Sequence, residues 1–328
     1  METVKYILYE ICIPTIVVLC LLAALLNILV FSSRFHVKSR TSSLELTYSL
    51  ALSDTWTSFV IAISLFWNSY KPVVLQLPHS TYCFPLTLEA FRTGGLLTGI
   101  FHLVALAFTH YMTIKRPFDH HKVLPLRTIH LMIFFMWATP PVALMIYFAS
   151  WEGQGYRNDK CMGISFYENF FFRAIISLII IILIITTTIF YIGMLQKISE
   201  VRNKTVSATP GASARGRRTV VTAVLIFGTF LFGWMPASIL YILTAEDMPL
   251  YKKQSIVITV LSIVVLVNIM AKTLTNPIIY ATRIPEIRQY VTQKLLWRVV
   301  PGDVERRQSE LEPLRTRCSQ ANTHSVML

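Results

Sequence analysis

Seven long apolar stretches run through this chain, at roughly 7–32, 44–68, 86–113, 128–149, 168–195, 219–245 and 254–281. About 20 apolar residues are needed for a helix to cross the hydrocarbon of a bilayer. Seven stretches qualify, so the expected fold is an all-α membrane protein, a bundle of seven transmembrane helices. Composition agrees: 54% of residues are hydrophobic and 14% are charged. The net charge of +13 does not point to nucleic acid. The basic residues sit in short runs between apolar blocks and not on one amphipathic face, the pattern of membrane topology.

Those runs set an expected orientation. Arg34, Lys38 and Arg40, then Lys115 to Arg127, then Lys197 to Arg218, then the tail from Arg283 to Arg317 together carry 21 Lys and Arg. The opposite side and its helix ends carry 8, among them Lys71, Arg92, Arg157, Lys160, Arg173, Lys252 and Lys253. The excess belongs in the cytoplasm. Residues 1–6 then form a short extracellular N-terminus and 7–282 the seven-span domain. In 283–298 apolar and basic residues interleave, as in an amphipathic helix on the inner leaflet. Residues 299–328 read as a disordered cytoplasmic tail. The first apolar run is longer than a signal-peptide core and leads straight into a basic loop, so no cleavable signal is expected. Asn203-Lys204-Thr205 is a glycosylation sequon on the cytoplasmic side, where no glycan is expected. Cys12 and Cys20 read as packing residues. Cys83 and Cys161 fall in two outer connections, in an oxidising compartment. A disulfide pinning the second outer loop to the third helix is expected; two free thiols are the alternative.

Polar residues recur inside the spans at characteristic places. Asn27 lies in the first span, and Leu50-Ala51-Leu52-Ser53-Asp54 in the second. Trp137 precedes Pro140 and Pro141 in the fourth. Tyr191 lies in the fifth, Phe230-Leu231-Phe232-Gly233-Trp234-Met235-Pro236 in the sixth, and Asn276-Pro277-Ile278-Ile279-Tyr280 in the seventh. Each mark alone is weak. In this order, on seven spans with an outer cysteine pair, the chain resembles a rhodopsin-like (class A) G protein-coupled receptor over about residues 7–298, in particular an invertebrate-type peptide receptor. The resemblance implies a plasma-membrane protein with an extracellular ligand, a heterotrimeric G protein on the inner side and arrestin as a further partner. Neither a cofactor nor a metal is expected. No nucleophile constellation or phosphate loop stands in the sequence, so the chain is not read as an enzyme.

The same residues carry a direct physical reading. Asp54 is ionisable within a span and needs an internal polar partner. Pro236 removes a helix hydrogen bond just below Trp234, and Pro277 does so beside Asn276. Helix breaks next to buried polar groups make bistable elements. Asn27, Asp54, Phe230, Trp234, Pro236, Lys272, Asn276, Pro277 and Tyr280 are therefore the candidate switch and polar core. The alternative for Phe230 and Trp234 is ordinary core packing.

Three departures from the family matter. The third span ends Thr109-His110-Tyr111-Met112-Thr113-Ile114-Lys115-Arg116-Pro117, where the family usually has Asp-Arg-Tyr. Thr109 cannot hold an ion pair, and His110 is shorter than arginine and titrates near neutral pH. Elevated basal signalling or a substitute latch is expected; normal coupling through other contacts is the alternative. His110, Tyr111, Pro117, Tyr191, Arg217 and Arg218 are the candidate G-protein contacts. Second, Arg92 stands where amine receptors carry an aspartate. With Glu89, Arg173, Trp234 and Tyr241 it forms the candidate ligand site, suited to a neuropeptide or a small or lipid acid. Arg92 could instead pair with Glu89 at i,i+3. Third, Lys272 replaces one of two asparagines that in the family surround a sodium ion with the aspartate of the second helix. Gly95 and Gly99 fall on the facing side of the third helix. The Lys272 ammonium is expected to take the place of sodium and pair with Asp54; backbone carbonyls are its alternative partners.

Two other classes were weighed. A retinal-binding opsin would carry its lysine at Met270; Lys272 is about 200° round the helix from there. Asp54, Arg92 and Lys272 could line a transporter or channel pathway, but no inverted repeat is visible.

Overall fold

Each apolar stretch becomes a helix. A computed structural model describes residues 8–38, 40–116, 124–204, 210–251 and 256–293. Helix α1 is Ile13–Ser32, with a wide turn Leu8–Cys12 before it. Helix α2 is Ser42–Leu65, and α3 is Cys83–Lys115. Helix α4 is Leu126–Ala149, α5 is Phe170–Lys204 and α6 is Pro210–Leu243. Helix α7 is Ile256–Arg283, and a short α8, Pro285–Val291, follows it. Seven helices are long and apolar enough to cross a membrane, by length and composition. The described residues contain no strand. The N-terminal segment 1–6, Pro117, residues 294–298 of the expected amphipathic helix and the tail 299–328 lie outside the described residues.

Local chemistry sets several boundaries. The Thr41 hydroxyl accepts a hydrogen bond from the Leu44 N–H at 3.3 Å and caps α2. Pro14 occupies the first turn of α1, where its missing N–H costs nothing. Helices α5 and α6 extend well beyond the expected spans, so the basic connection 197–218 is mostly helix. Apolar length measures what crosses lipid, whereas Lys, Glu and Arg propagate a helix into water. Lys197 and Glu200 pair at 2.7 Å along that extension.

The helices form a ring, α1–α2–α3–α5–α6–α7 and back to α1, with α4 packed outside on α3. Helices α2 and α3 bury most of their surface and α4 little. The exposed side of α4 carries Leu131, Phe134, Phe135, Val142 and Ile146. In water such a patch would be a liability; against lipid it is the natural solvent face.

Prolines shape the crossings. Pro140 cannot donate to the Met136 carbonyl, and Thr98 of α3 donates to it instead at 3.0 Å. Next to this contact a Cβ on Gly94 would lie 2.9 Å from the Pro141 Cα. The α3–α4 crossing therefore requires glycine at that position. Pro277 likewise frees the Thr273 carbonyl, and the Asn27 amide of α1 donates to it at 3.1 Å.

At one end of the bundle Cys83, the first residue of α3, is disulfide-bonded to Cys161. The pinned loop also takes a backbone bond from Tyr82 N–H to the Lys160 carbonyl at 2.9 Å. Tyr156 and Thr87 share a hydroxyl hydrogen bond at 3.0 Å. Phe148 and Phe166 are buried beneath the loop. Gly155 has φ +53°, and a Cβ there would lie 2.5 Å from the Phe148 carbonyl oxygen. The short helix Ser165–Glu168 then leads into α5.

Candidate functional site

Three polar clusters lie along the bundle, one at its centre and one at each end. At the centre Asp54 of α2 is buried, and the Lys272 ammonium of α7 lies 3.1 Å from its Oδ1 and 3.4 Å from its Oδ2. Asn276, one helical turn further along α7, donates to Oδ2 at 2.9 Å. Lys272 is 4% exposed and Asn276 is fully buried. Residues i and i+4 share a helix face, so α7 presents both donors to the same carboxylate. The expected Lys272–Asp54 pair is thus present. A Cβ on Gly99 of α3 would lie 3.7 Å from Asp54 Oδ1, whereas Gly95 faces Thr57 of α2. Helix α3 therefore brings no side-chain oxygen to this carboxylate from either position. These residues do not fit a sodium ion: an ammonium already fills the place beside Asp54, and the surrounding oxygen ligands a hard cation needs are absent from the α3 side. From α6, a Cβ on Gly233 would come 3.1 Å from the Lys272 Cβ. The residue before Trp234 thus rests on Lys272. Met270, at the position an opsin gives its lysine, is buried with its sulfur 3.1 Å from Cys20 Sγ.

A second buried chain lies nearby. His102 Nδ1 faces the Thr98 carbonyl at 2.8 Å and must donate to it. Its Nε2 then accepts from Ser49 at 2.8 Å, and Ser49 accepts from Trp137 Nε1 at 3.0 Å. This joins α2, α3 and α4. Sequence reading passed over His102, although a titratable residue within a span was signal enough.

At the end opposite the disulfide, His110 Nε2 and the Ser43 hydroxyl of α2 are 3.0 Å apart, and among the described residues His110 Nδ1 has no partner. Thr109 turns back on its own helix, donating to the Ala105 carbonyl at 2.8 Å. It holds nothing on His110. Tyr111 packs where Gly193 leaves room, 3.0 Å from the Cβ that glycine lacks. Tyr191 and Tyr280 are buried, and their hydroxyls have no partner among the described residues. Buried Glu45 accepts from Arg34 at 3.0 and 3.1 Å, with His130 Nε2 3.6 Å away. Glu45 also escaped the sequence reading, although an acid just inside the second span is unusual. The side chains of Arg217 and Arg218, and all of Pro117, lie outside the described residues.

At the disulfide end Glu89 and Arg92 form an ion pair, the i,i+3 contact that the sequence allowed as the alternative for Arg92. The Tyr167 hydroxyl, from the loop helix, donates to the same Glu89 oxygen. Arg173 of α5 donates to the Tyr167 carbonyl at 3.1 Å and to the Thr244 carbonyl and hydroxyl, both at 2.7 Å. Its guanidinium carbon stands 5.6 Å from the Tyr167 ring centre and 5.1 Å from that of Tyr241. The structure thus gathers Glu89, Arg92, Arg173 and Tyr241 around Tyr167. Trp234 and Phe230 do not join them. They lie deeper on α6, buried in the main core, and the Trp234 Nε1 has no partner among the described residues. No sequence signal marked Tyr167 or Thr244. Lys252 and Lys253 lie outside the described residues. Among the described residues no group of three or more His, Cys, Asp or Glu is placed to hold a metal.

No curated protein matches this chain. Residues 15–280 match the family described as 7 transmembrane receptor (rhodopsin family), most of the chain and all seven spans. With its seven-helix ring, its loop-pinning disulfide and its motifs in place, the chain belongs to the rhodopsin family of seven-transmembrane receptors.

Proposed function

We propose that this receptor sits in the plasma membrane with its disulfide end outward. It binds a peptide or a small or lipid acid there and activates a heterotrimeric G protein at the opposite end. The orientation is supported by the Lys and Arg excess on the connections opposite the disulfide. The ligand end is the cluster of Glu89, Arg92, Tyr167, Arg173 and Tyr241. The G-protein end comprises His110, Tyr111, Pro117, Tyr191, Arg217 and Arg218, with arrestin reading the tail. The observation that carries this reading is the contact between Gly233 and Lys272. It sets Gly233, the residue before Trp234 on α6, against Lys272 of the buried Asp54–Lys272–Asn276 cluster of α2 and α7. A displacement of α6 by a ligand therefore reaches the centre of the bundle through packed atoms.

The His110–Ser43 bond takes over the role of the missing acid–arginine latch, tying α3 to α2 in the resting state. A neutral hydrogen bond is worth less than a charged one, about 0.5–1.5 against 1.5–3 kcal/mol. Basal signalling is therefore higher than an ion-paired latch would allow. The test is a cell assay presenting short peptides and organic and fatty acids, with cyclic AMP and calcium as readouts. A ligand-evoked second messenger supports the reading. Ligand-driven uptake or current without a second messenger would assign the chain to transport. Retinal binding is disfavoured by position: Met270 stands where an opsin carries its lysine, buried against Cys20, and Lys272 lies about 200° round the helix from it.

A further inference from the structure

Three charged side chains, Glu89, Arg92 and Arg173, surround Tyr167, and they are not equivalent. Glu89 and Arg92 neutralise each other one turn apart on α3. Glu89 also accepts from Tyr167, whose hydroxyl is kept protonated well above the usual tyrosine range by burial and by the Glu89 charge. Arg173 differs. Its bonds go to neutral oxygens only, the carbonyl of Tyr167 and the carbonyl and hydroxyl of Thr244. Its face is covered by two tyrosine rings, and it is half-buried. Among the described residues no carboxylate pairs with it, and its hydrogen bonds run from Nε and Nη1.

We infer that Arg173 is the anchor for a ligand carboxylate, and that capturing it breaks one of the two ties Arg173 makes to the loop and to α6. The inference rests on the receptor reading above and names the ligand chemistry of that site. A guanidinium fork binds a carboxylate at two points. Any such pair uses Nη2 together with Nη1 or with Nε. The first choice displaces Thr244, just past the end of α6; the second displaces the Tyr167 carbonyl and loosens the short helix 165–168. A carboxylate brings a full negative charge to the guanidinium where the displaced carbonyl or hydroxyl is neutral, so the exchange is favourable. The same atoms then couple ligand capture to movement of α6 or of the loop helix.

The experiment uses purified full-length receptor and matched probe pairs. Short peptides are compared as free acids and C-terminal amides, and long-chain fatty acids with their methyl esters. Thermal stability is followed against probe concentration for wild type, Arg173→Gln, Arg173→Lys and Arg92→Gln. The expected result is stabilisation by the acid of a pair and not by its neutral partner. Arg173→Gln shifts the midpoint by about 10–100-fold, and Arg173→Lys by less. Which series responds distinguishes a peptide terminus from a lipid acid. In cells, Arg173→Gln cuts the tie to Thr244 without ligand, and basal second messenger rises above wild type. Loss of acid preference in Arg92→Gln with its retention in Arg173→Gln would move the anion to Arg92 and overturn the inference. Equal response to acids and neutral partners, with basal signal unchanged in Arg173→Gln, would overturn it too. Acid binding that depends on Arg173 while no variant changes any second messenger would leave the anchor standing and sink the G-protein reading.

Discussion

Replacing Lys272 by methionine is the sharpest perturbation this structure offers. The side chain is 4% exposed, its ammonium lies 3.1 Å from Asp54 Oδ1, and no other cation approaches that carboxylate among the described residues. Methionine keeps the apolar stem and removes the charge. Asp54 is then left buried with a single amide donor, Asn276 at 2.9 Å. Breaking a buried pair from one side costs about 3–5 kcal/mol, even though the intact pair contributes little net stability. At roughly 2 °C per kcal/mol for a chain of this size, the midpoint of thermal unfolding falls by about 6–10 °C. Asp54→Asn in the same molecule removes the orphan charge and lets the Asn276 amide keep a neutral acceptor. The double variant should recover more than half of the loss, a coupling of about 1–3 kcal/mol. The assay is thermal unfolding of the solubilised receptor, with surface expression as a parallel readout, in sodium chloride and in choline chloride. Because an ammonium occupies the place beside Asp54, wild type should respond equally to the two salts. A double variant no more stable than Lys272→Met, or a sodium-selective stabilisation of wild type, would refute the reasoning.

Ser43→Ala removes the partner of the part-buried His110 Nε2, at about 0.5–1.5 kcal/mol; basal second messenger should rise several-fold, and His110→Arg should alter basal or evoked signalling. Cys83→Ser and Cys161→Ser should each lower the unfolding midpoint equally, and the double variant no further. With the cysteines 78 positions apart in sequence, the chain-entropy model sets an upper bound of about 4.5 kcal/mol, and thiol labelling of either single variant should report one newly reactive cysteine. Gly94→Val drives a side chain into Pro141 and should reduce surface expression, at about 1–3 kcal/mol or more, whereas Gly228, with nothing within 4 Å of a built Cβ, should accept alanine.

Apolar length, charge bias and proline placement are local properties of a chain, and from them the seven helices and the polar residues at their breaks could be read. So could the pairing of Lys272 with Asp54, because few buried partners are chemically acceptable to either. Helix ends were less legible: α5 and α6 run on into what looked like loop, since polar residues continue a helix that hydropathy cannot see. What only the tertiary structure decided is which neutral group each polar atom meets. Asn27 donates to Thr273, Thr98 to Met136, and His110 bonds Ser43. Those choices depend on how each helix is rotated about its axis, and rotation is set by packing across the whole ring. The same holds for Tyr167. It reaches Glu89 because a disulfide and a loop fold hold it there, and within that cluster Arg173 bonds neutral oxygens and Arg92 the carboxylate.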